Sequence, residues 1–269
     1  CSIHGNSSFS RRSLKSIECE LDYLASSGTQ IINIEDDSLF SDKVFADEFL
    51  SILKIYHNKG LSFCAMNGTA ANDIIPFADR MIDSGFIEIN LSLVSSDKLS
   101  LQSSNRPFGL SAIDELVKII NGRVDTIVFL IAGLKGGNTD SLSSGIRTLA
   151  AMPVTIGISP LYTLPSLEYF KDILPATRSH MRGSALYSFY GITREDAASA
   201  MKAARMINKI RSMENVPHEE MENINYFRKS VSRNRWYRKV KSGWIDSFDF
   251  QIDLKDISVM KNDRSMISM

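Results

Sequence analysis

Thr126-Ile127-Val128-Phe129-Leu130-Ile131 is the most apolar stretch of the chain, and its reading decides the fold. A strand that alternates apolar and polar residues keeps one face wet. An uninterrupted apolar run has no wet face and points to a strand buried in a parallel sheet. Turn signals bracket it. Gly122 stops a preceding helix with apolar face Ile113, Leu116, Val117 and Ile120. Gly133-Leu134-Lys135-Gly136-Gly137 then leads to a helix carrying Leu142, Ile146 and Leu149, capped by Asn138 or Thr139.

The same alternation extends both ways. Toward the N-terminus, Phe86–Leu93 reads as a strand, preceded by a helix around Ile75–Ser84 that ends at Gly85. Leu61–Ala65 is a short strand, preceded by a helix with apolar face Phe45, Phe49, Leu53 and Tyr56, capped by Ser41 or Asp42 and closed by Gly60. Gln30–Glu35 carries three isoleucines and comes after a helix with Leu14, Ile17, Leu21 and Leu24 on one face, ended by Gly28. Toward the C-terminus, Val154–Ser159 is a last strand. Strands separated by helical crossovers imply a parallel sheet covered by helices. No Gly-x-Gly-x-x-Gly comes after any strand, which weighs against a dinucleotide fold. The expectation is an α/β chain: a partial (βα)6 TIM-like barrel lacking its first strand, over residues 1–167. A helical C-terminal extension occupies 168–269, with the boundary near Leu167–Pro175. That extension holds a helix near 193–213, opened by Thr193 and Asp196 in capping-box style, and a basic, aromatic segment at 226–244.

Bulk composition sets limits. The chain has 269 residues, enough for one large domain or a domain with an extension. Lys+Arg and Asp+Glu balance at 31 each, so no global field advertises nucleic acid or a membrane. Segment 226–244 interleaves Arg233, Arg235, Arg238 and Lys239 with Trp236, Tyr237 and Trp244. It can stack and track a nucleic-acid backbone, or pack rings inward and charges outward. The zero net charge favours packing, so no nucleic-acid partner is expected. No apolar run approaches the roughly 20 residues of a membrane span. Three cysteines (Cys1, Cys19, Cys64) fit neither a disulfide framework nor a zinc site, and a reducing cytoplasmic setting is expected. Cys19 and Cys64 read as small core hydrophobes. His218-Glu219-Glu220 lacks a second histidine at helical spacing and reads as a solvated helix start. The first residue is Cys1, so the sequence reads as a fragment or a processed chain.

In a parallel barrel, functional groups collect where strands end and loops begin. The positions this rule selects are Asp36 and Asp37, Asn67-Gly68, Ser92 to Ser95, the Gly133–Gly137 turn, and Ser159-Pro160-Leu161-Tyr162. Each has a plainer reading: Asp36 and Asp37 as helix caps, Asn67-Gly68 as a turn dipeptide, Gly133–Gly137 as a tight turn rather than a phosphate cradle.

The order of these motifs resembles the radical S-adenosylmethionine superfamily, particularly its cobalamin-associated members. Cys1-Ser2-Ile3-His4 and Arg11-Arg12-Ser13 are similar to the continuation of the family's Cys-x3-Cys-x2-Cys loop, which makes Cys1 similar to its third cysteine. Ile34-Glu35-Asp36-Asp37-Ser38-Leu39-Phe40 resembles the strand-end acidic pair and aromatic that bind the cofactor's amino group. Asn67-Gly68 stands at the family's Asn-Gly. Ile131-Ala132-Gly133 resembles the segment that flanks the adenine, and Ser159-Pro160-Leu161-Tyr162 with Leu164-Pro165-Ser166 the motif after the sixth strand. The resemblance covers residues 1–167. It implies a three-thiolate iron–sulfur cluster of the 4Fe–4S type with Cys1 as metal ligand. It also implies S-adenosylmethionine contacting Asp36, Asp37, Asn67, Ser92, Ile131, Gly133 and Ser159, an electron-donor protein, a small-molecule substrate, and cobalamin in some members. The chemistry implied is reductive cleavage of S-adenosylmethionine to start radical methylation or rearrangement. The alternatives are an RNA methylthiotransferase-like protein and a degenerate barrel that only binds a ligand or partner. Two departures stand out: Val94 replaces a common glutamate, and only one of three cluster cysteines is present, so the chain is expected to be inactive alone.

Overall fold

The structure is a computed structural model that describes residues 11–36, 38–96, 101, 109–134, 136–161, 191–212, 231–240 and 243–252. Its centre is a sheet of five parallel strands: β1 (Ile31–Asn33), β2 (Ser62–Thr69), β3 (Phe86–Val94), β4 (Asp125–Ala132) and β5 (Thr155–Pro160). Spatial order equals chain order, β1-β2-β3-β4-β5, with no reversal. A doubly wound sheet reverses direction at a switch point and carries helices on both faces. A sheet wound one way, with right-handed crossovers, puts its helices on one face only. This sheet is therefore an open, partial barrel.

The connecting helices are α1 (Leu14–Ser26), α2 (Lys43–His57), the short α3 (Ala71–Ile74), α4 (Ala78–Asp83), α5 (Leu110–Ile120) and α6 (Thr139–Ala150). Asp42 caps α2 by accepting from the Phe45 amide at 3.1 Å. Asn138 caps α6 in a reciprocal box with Ser141. The helix expected around Ile75–Ser84 is instead a relay, with a 3-10 turn over Ile75–Phe77 between α3 and α4. Pro76 sits in that turn and has no N–H to continue an α-helical ladder.

Core residues show which face the helices cover. Phe63 and Ala65 of β2, Ile89, Leu91 and Leu93 of β3, Val128 and Leu130 of β4 and Ile156 of β5 are all buried in one apolar cluster with Phe49, Leu53, Met81, Leu116 and Ile146 from the helices. Phe63 and Phe86 stand in register, and a bulge places Cys64 beside Glu88. The other face then carries Cys64 and Met66, Glu88, Asn90 and Ser92, Ile127, Phe129 and Ile131, and Gly157 and Ser159, aligned strand by strand.

The two sheet edges differ. β5 is covered by α7 (Arg194–Ser212), which Thr193 and Asp196 cap reciprocally as expected. Asn208 accepts from the Ile156 amide at 3.0 Å and donates to the Ile156 carbonyl at 2.8 Å, occupying the edge as a neighbouring strand does. Arg211, fully buried, donates to the carbonyls of Val154 and Met152. Burial pushes its guanidinium down to about 9. Among the described residues β1 pairs only with β2, and Ile31 is 58% exposed on its other edge.

Cys19 corrects an expectation: it is exposed, whereas Cys64 is buried as expected. At 100° per residue, Cys19 lies on the opposite side of α1 from Ile17 and Leu21. Strands β6 (Val231–Val240) and β7 (Gly243–Ile252) pair antiparallel, with Arg235 opposite Asp249 and Tyr237 opposite Asp246. The sequence pattern predicts no strands there.

Candidate cofactor site at the strand ends

Because all five strands run the same way, their C-terminal ends lie along one rim. Asp36 stands three residues past β1 and is exposed; its Oδ1 accepts from the Ser38 amide at 2.7 Å, an Asx turn that fixes the carboxylate at the rim. Asn67 and Gly68 sit in an irregular stretch of β2, where the register against β3 slips between Ala65 and Thr69. Gly68 has φ +75, and a Cβ there would stand 3.6 Å from the Ser92 Cβ. Ser92 is in register with Phe129, and Ile131 with Ser159. Gly133 turns out of β4 at φ +101, where a Cβ would lie 3.5 Å from the Leu161 Cβ. The rim thus brings Asp36, Asn67, Ser92, Ile131, Gly133 and Ser159 to one end of the sheet. Cys1, Asp37, Tyr162, Leu164-Pro165-Ser166 and His218 lie outside the described residues.

Val94 ends β3 in a γ-turn: the Ser95 amide donates to the Leu93 carbonyl at 2.8 Å, and Val94 takes φ +69. A β-branched residue in that region is a genuine outlier, and such strain gathers at ligand sites. The sequence marks Val94 as a substitution but does not reveal the turn. With Ser96, Leu134, Ser141 and Ile192, Val94 also lines a small crevice between β4 and the start of α6.

Two buried polar groups on β2 and β3 are not evident from sequence. Asn90 is 5% exposed; its Nδ2 donates to the Met66 carbonyl at 2.7 Å while its Oδ1 has no partner. Thr69 Oγ1 is likewise buried without a partner. The one visible signal is a lone asparagine inside an apolar strand.

Solved structures of the same architecture were found. The radical S-adenosylmethionine methyltransferase TsrM from Kitasatospora setae, with cobalamin and an iron–sulfur cluster bound, superposes with a TM-score of 0.53 at 18% identity, covering 58% of this chain and 32% of that one. Coproporphyrinogen III oxidase (HemN) from Escherichia coli, described as a radical SAM enzyme, gives 0.51 at 12% identity, covering 86% of this chain and 53% of that one. The chain has the radical S-adenosylmethionine fold. It spans about a third of the TsrM chain and about half of HemN. No protein-family model matches the sequence, and no curated protein matches it.

The residues present fit one of the groups associated with this fold and not the other. An anionic Asp36, an amide at Asn67, hydroxyls at Ser92 and Ser159, and open glycine backbone at Gly68 and Gly133 are a donor and acceptor set suited to S-adenosylmethionine. A cluster needs several thiolates at one place. Cys19 lies exposed on α1 and Cys64 in mid-β2, and among the described residues no group of three His, Cys, Asp or Glu can hold a metal. Burial, then the Glu88 charge, raises the Cys64 thiol, so it stays protonated and a poor ligand. Among the described residues no helix is long and apolar enough to cross a membrane.

Proposed function

We propose that this chain is the S-adenosylmethionine-binding barrel of a radical S-adenosylmethionine enzyme that methylates or rearranges an unreactive carbon. The observation that supports this is the rim: six separate strand-end residues of a singly wound sheet, in the order the family resemblance requires, gathered at one end.

When bound and reduced beside a cluster, S-adenosylmethionine supplies hydrogen-abstracting or methyl-transferring chemistry. The chain's own residues bind and orient. Asp36 meets the ammonium of the methionine moiety. Asn67 and Ser92 hydrogen-bond the ribose hydroxyls. Ile131 and the Gly133 backbone flank the adenine, and Ser159 closes the far side. The sheet face opposite the helices, below the rim, receives substrate, and apolar Ile127 and Phe129 exclude water there.

Cluster ligation in this reading takes Cys1 together with thiolates this chain does not contain. Electrons come from a donor protein, and the chain acts inside a cytoplasmic parent enzyme. The cobalamin bound in TsrM supports a cobalamin-associated parent. Scattered cysteines favour one second reading, a barrel that binds the nucleoside without catalysis.

Equilibrium dialysis with S-adenosylmethionine tests the proposal. The chain binds it, and Asp36→Ala and Ser92→Ala each weaken binding about tenfold, as expected for losing one hydrogen bond to a charged or ordered group. No binding, or binding by both variants as tight as by the unsubstituted chain, overturns it. Anaerobic reconstitution with iron and sulfide yields no stoichiometric four-iron cluster on the isolated chain.

A further inference from the structure

Below the rim, the sheet face opposite the helices divides into two lanes with different chemistry. On β2 and β3 stand Cys64, Glu88 and Asn90, with Cys64 in register with Glu88. On β4 stand Ile127 and Phe129, in register with Asn90 and Ser92. Phe129 lies flat over Gly157: a Cβ at Gly157 would come within 2.4 Å of its ring. One lane is therefore polar, with acceptors at Glu88 and Asn90, and the other is an apolar shelf.

Among the described residues nothing satisfies the acceptors of the first lane. Asn90 Oδ1 is buried and unpartnered, and its orientation is fixed because Nδ2 is committed to the Met66 carbonyl. Buried acceptors without partners are rare and demand an explanation. Glu88, two residues away on the same face, is half-buried and has no ion pair or hydrogen bond among the described residues. Its charge is felt by the Cys64 thiol. The described residues of this face on β1 to β5 include no Lys, Arg or His. A half-buried carboxylate beside an orphaned amide oxygen calls for a cation that donates N–H.

We propose that this face binds an organic ammonium with an apolar framework, its N–H groups received by Glu88 and Asn90 and its carbon skeleton lying on Ile127 and Phe129. This names the substrate class for the site proposed above and rests on that reading for the role of the rim. Asn90 lies about 7 Å below Ser92 along β3, so an ammonium held there brings its carbon framework up toward the cofactor.

Phenethylammonium is the probe, with 2-phenylethanol and phenylacetate as neutral and anionic controls of the same skeleton. Their affinities are measured calorimetrically on the full chain, with S-adenosylmethionine titrated in parallel. Phenethylammonium binds at least tenfold more tightly than either control. Glu88→Gln abolishes that preference, and Glu88→Lys turns it toward phenylacetate. Circular dichroism confirms that both variants fold; as a second reading of the face, chemical shifts of Phe129 move on adding phenethylammonium. Equal binding of the three probes, no binding, or a preference untouched by Glu88→Gln overturns the inference. If S-adenosylmethionine fails to bind while the Glu88-dependent preference persists, the cofactor reading falls and the ammonium site stands.

Discussion

The side-chain amide of Asn90 on β3 bridges to the main-chain carbonyl of Met66 on β2, at 2.7 Å. That bond spans the point where the two strands fall out of register, just before Asn67-Gly68. The asparagine thereby fixes the backbone that presents the second rim motif.

Removing the bridge loosens the bulge. Asn90→Ala costs about 1 kcal/mol, the net worth of one hydrogen bond. Asn90→Asp costs more, because a carboxylate cannot donate and repels the carbonyl. Urea denaturation reads this order, and an Asp variant as stable as the wild type contradicts it.

Asn208 bonds the edge of β5 as a neighbouring strand does. Asn208→Ala leaves the Ile156 amide and carbonyl unpaired, a loss of about 1–3 kcal/mol. Hydrogen exchange at Ile156 accelerates in that variant while exchange at Leu91, in central β3, tracks global stability. Equal protection of Ile156 in both proteins contradicts the assignment.

Asp42 ties the segment before α1 to the start of α2. The Phe45 amide, then the Arg11 guanidinium, hold its carboxyl below the usual carboxylate range. A depressed native value stabilises the fold above the ordinary value near ~4 and loses that stabilisation as pH falls through the native one. Asp42→Ala destabilises the fold at neutral pH, as loss of an N-cap does, and its deficit shrinks in acid. A deficit constant down to strongly acidic pH shows the carboxylate is not responsible.

The side of β1 left without a partner among the described residues is an association hazard, since unpaired strand edges template further pairing. Ile31→Lys reduces concentration-dependent self-association seen by analytical ultracentrifugation. Monomeric behaviour of the unsubstituted chain at high concentration contradicts this expectation.

Much of this arrangement is legible in the sequence because it rests on local patterns. The run Thr126–Ile131, the alternation in Phe86–Leu93 and the glycines after each helix locate all five strands, and Asp42, Asn138 and Thr193 announce helix starts. The features that escape depend on contacts between distant segments. Asn90 reads as an odd polar residue until Met66 is placed beside it. The strain at Val94 arises from a register slip against β4, and the role of Asn208 from a strand 52 residues away in sequence. The hairpin of β6 and β7 is hidden because its charged residues break the period-two alternation that marks a strand.

The central claim is that the common rim of the five strands binds S-adenosylmethionine. Ultraviolet cross-linking of adenine-labelled S-adenosylmethionine to the chain, with peptide mapping of the product, tests it most directly. Label is expected on peptides carrying Ile131–Gly133 and Ser92, competed away by excess S-adenosylhomocysteine. Label confined to the helical face or to the strand starts at Ser62, Phe86 and Asp125, or no competable label at all, contradicts it.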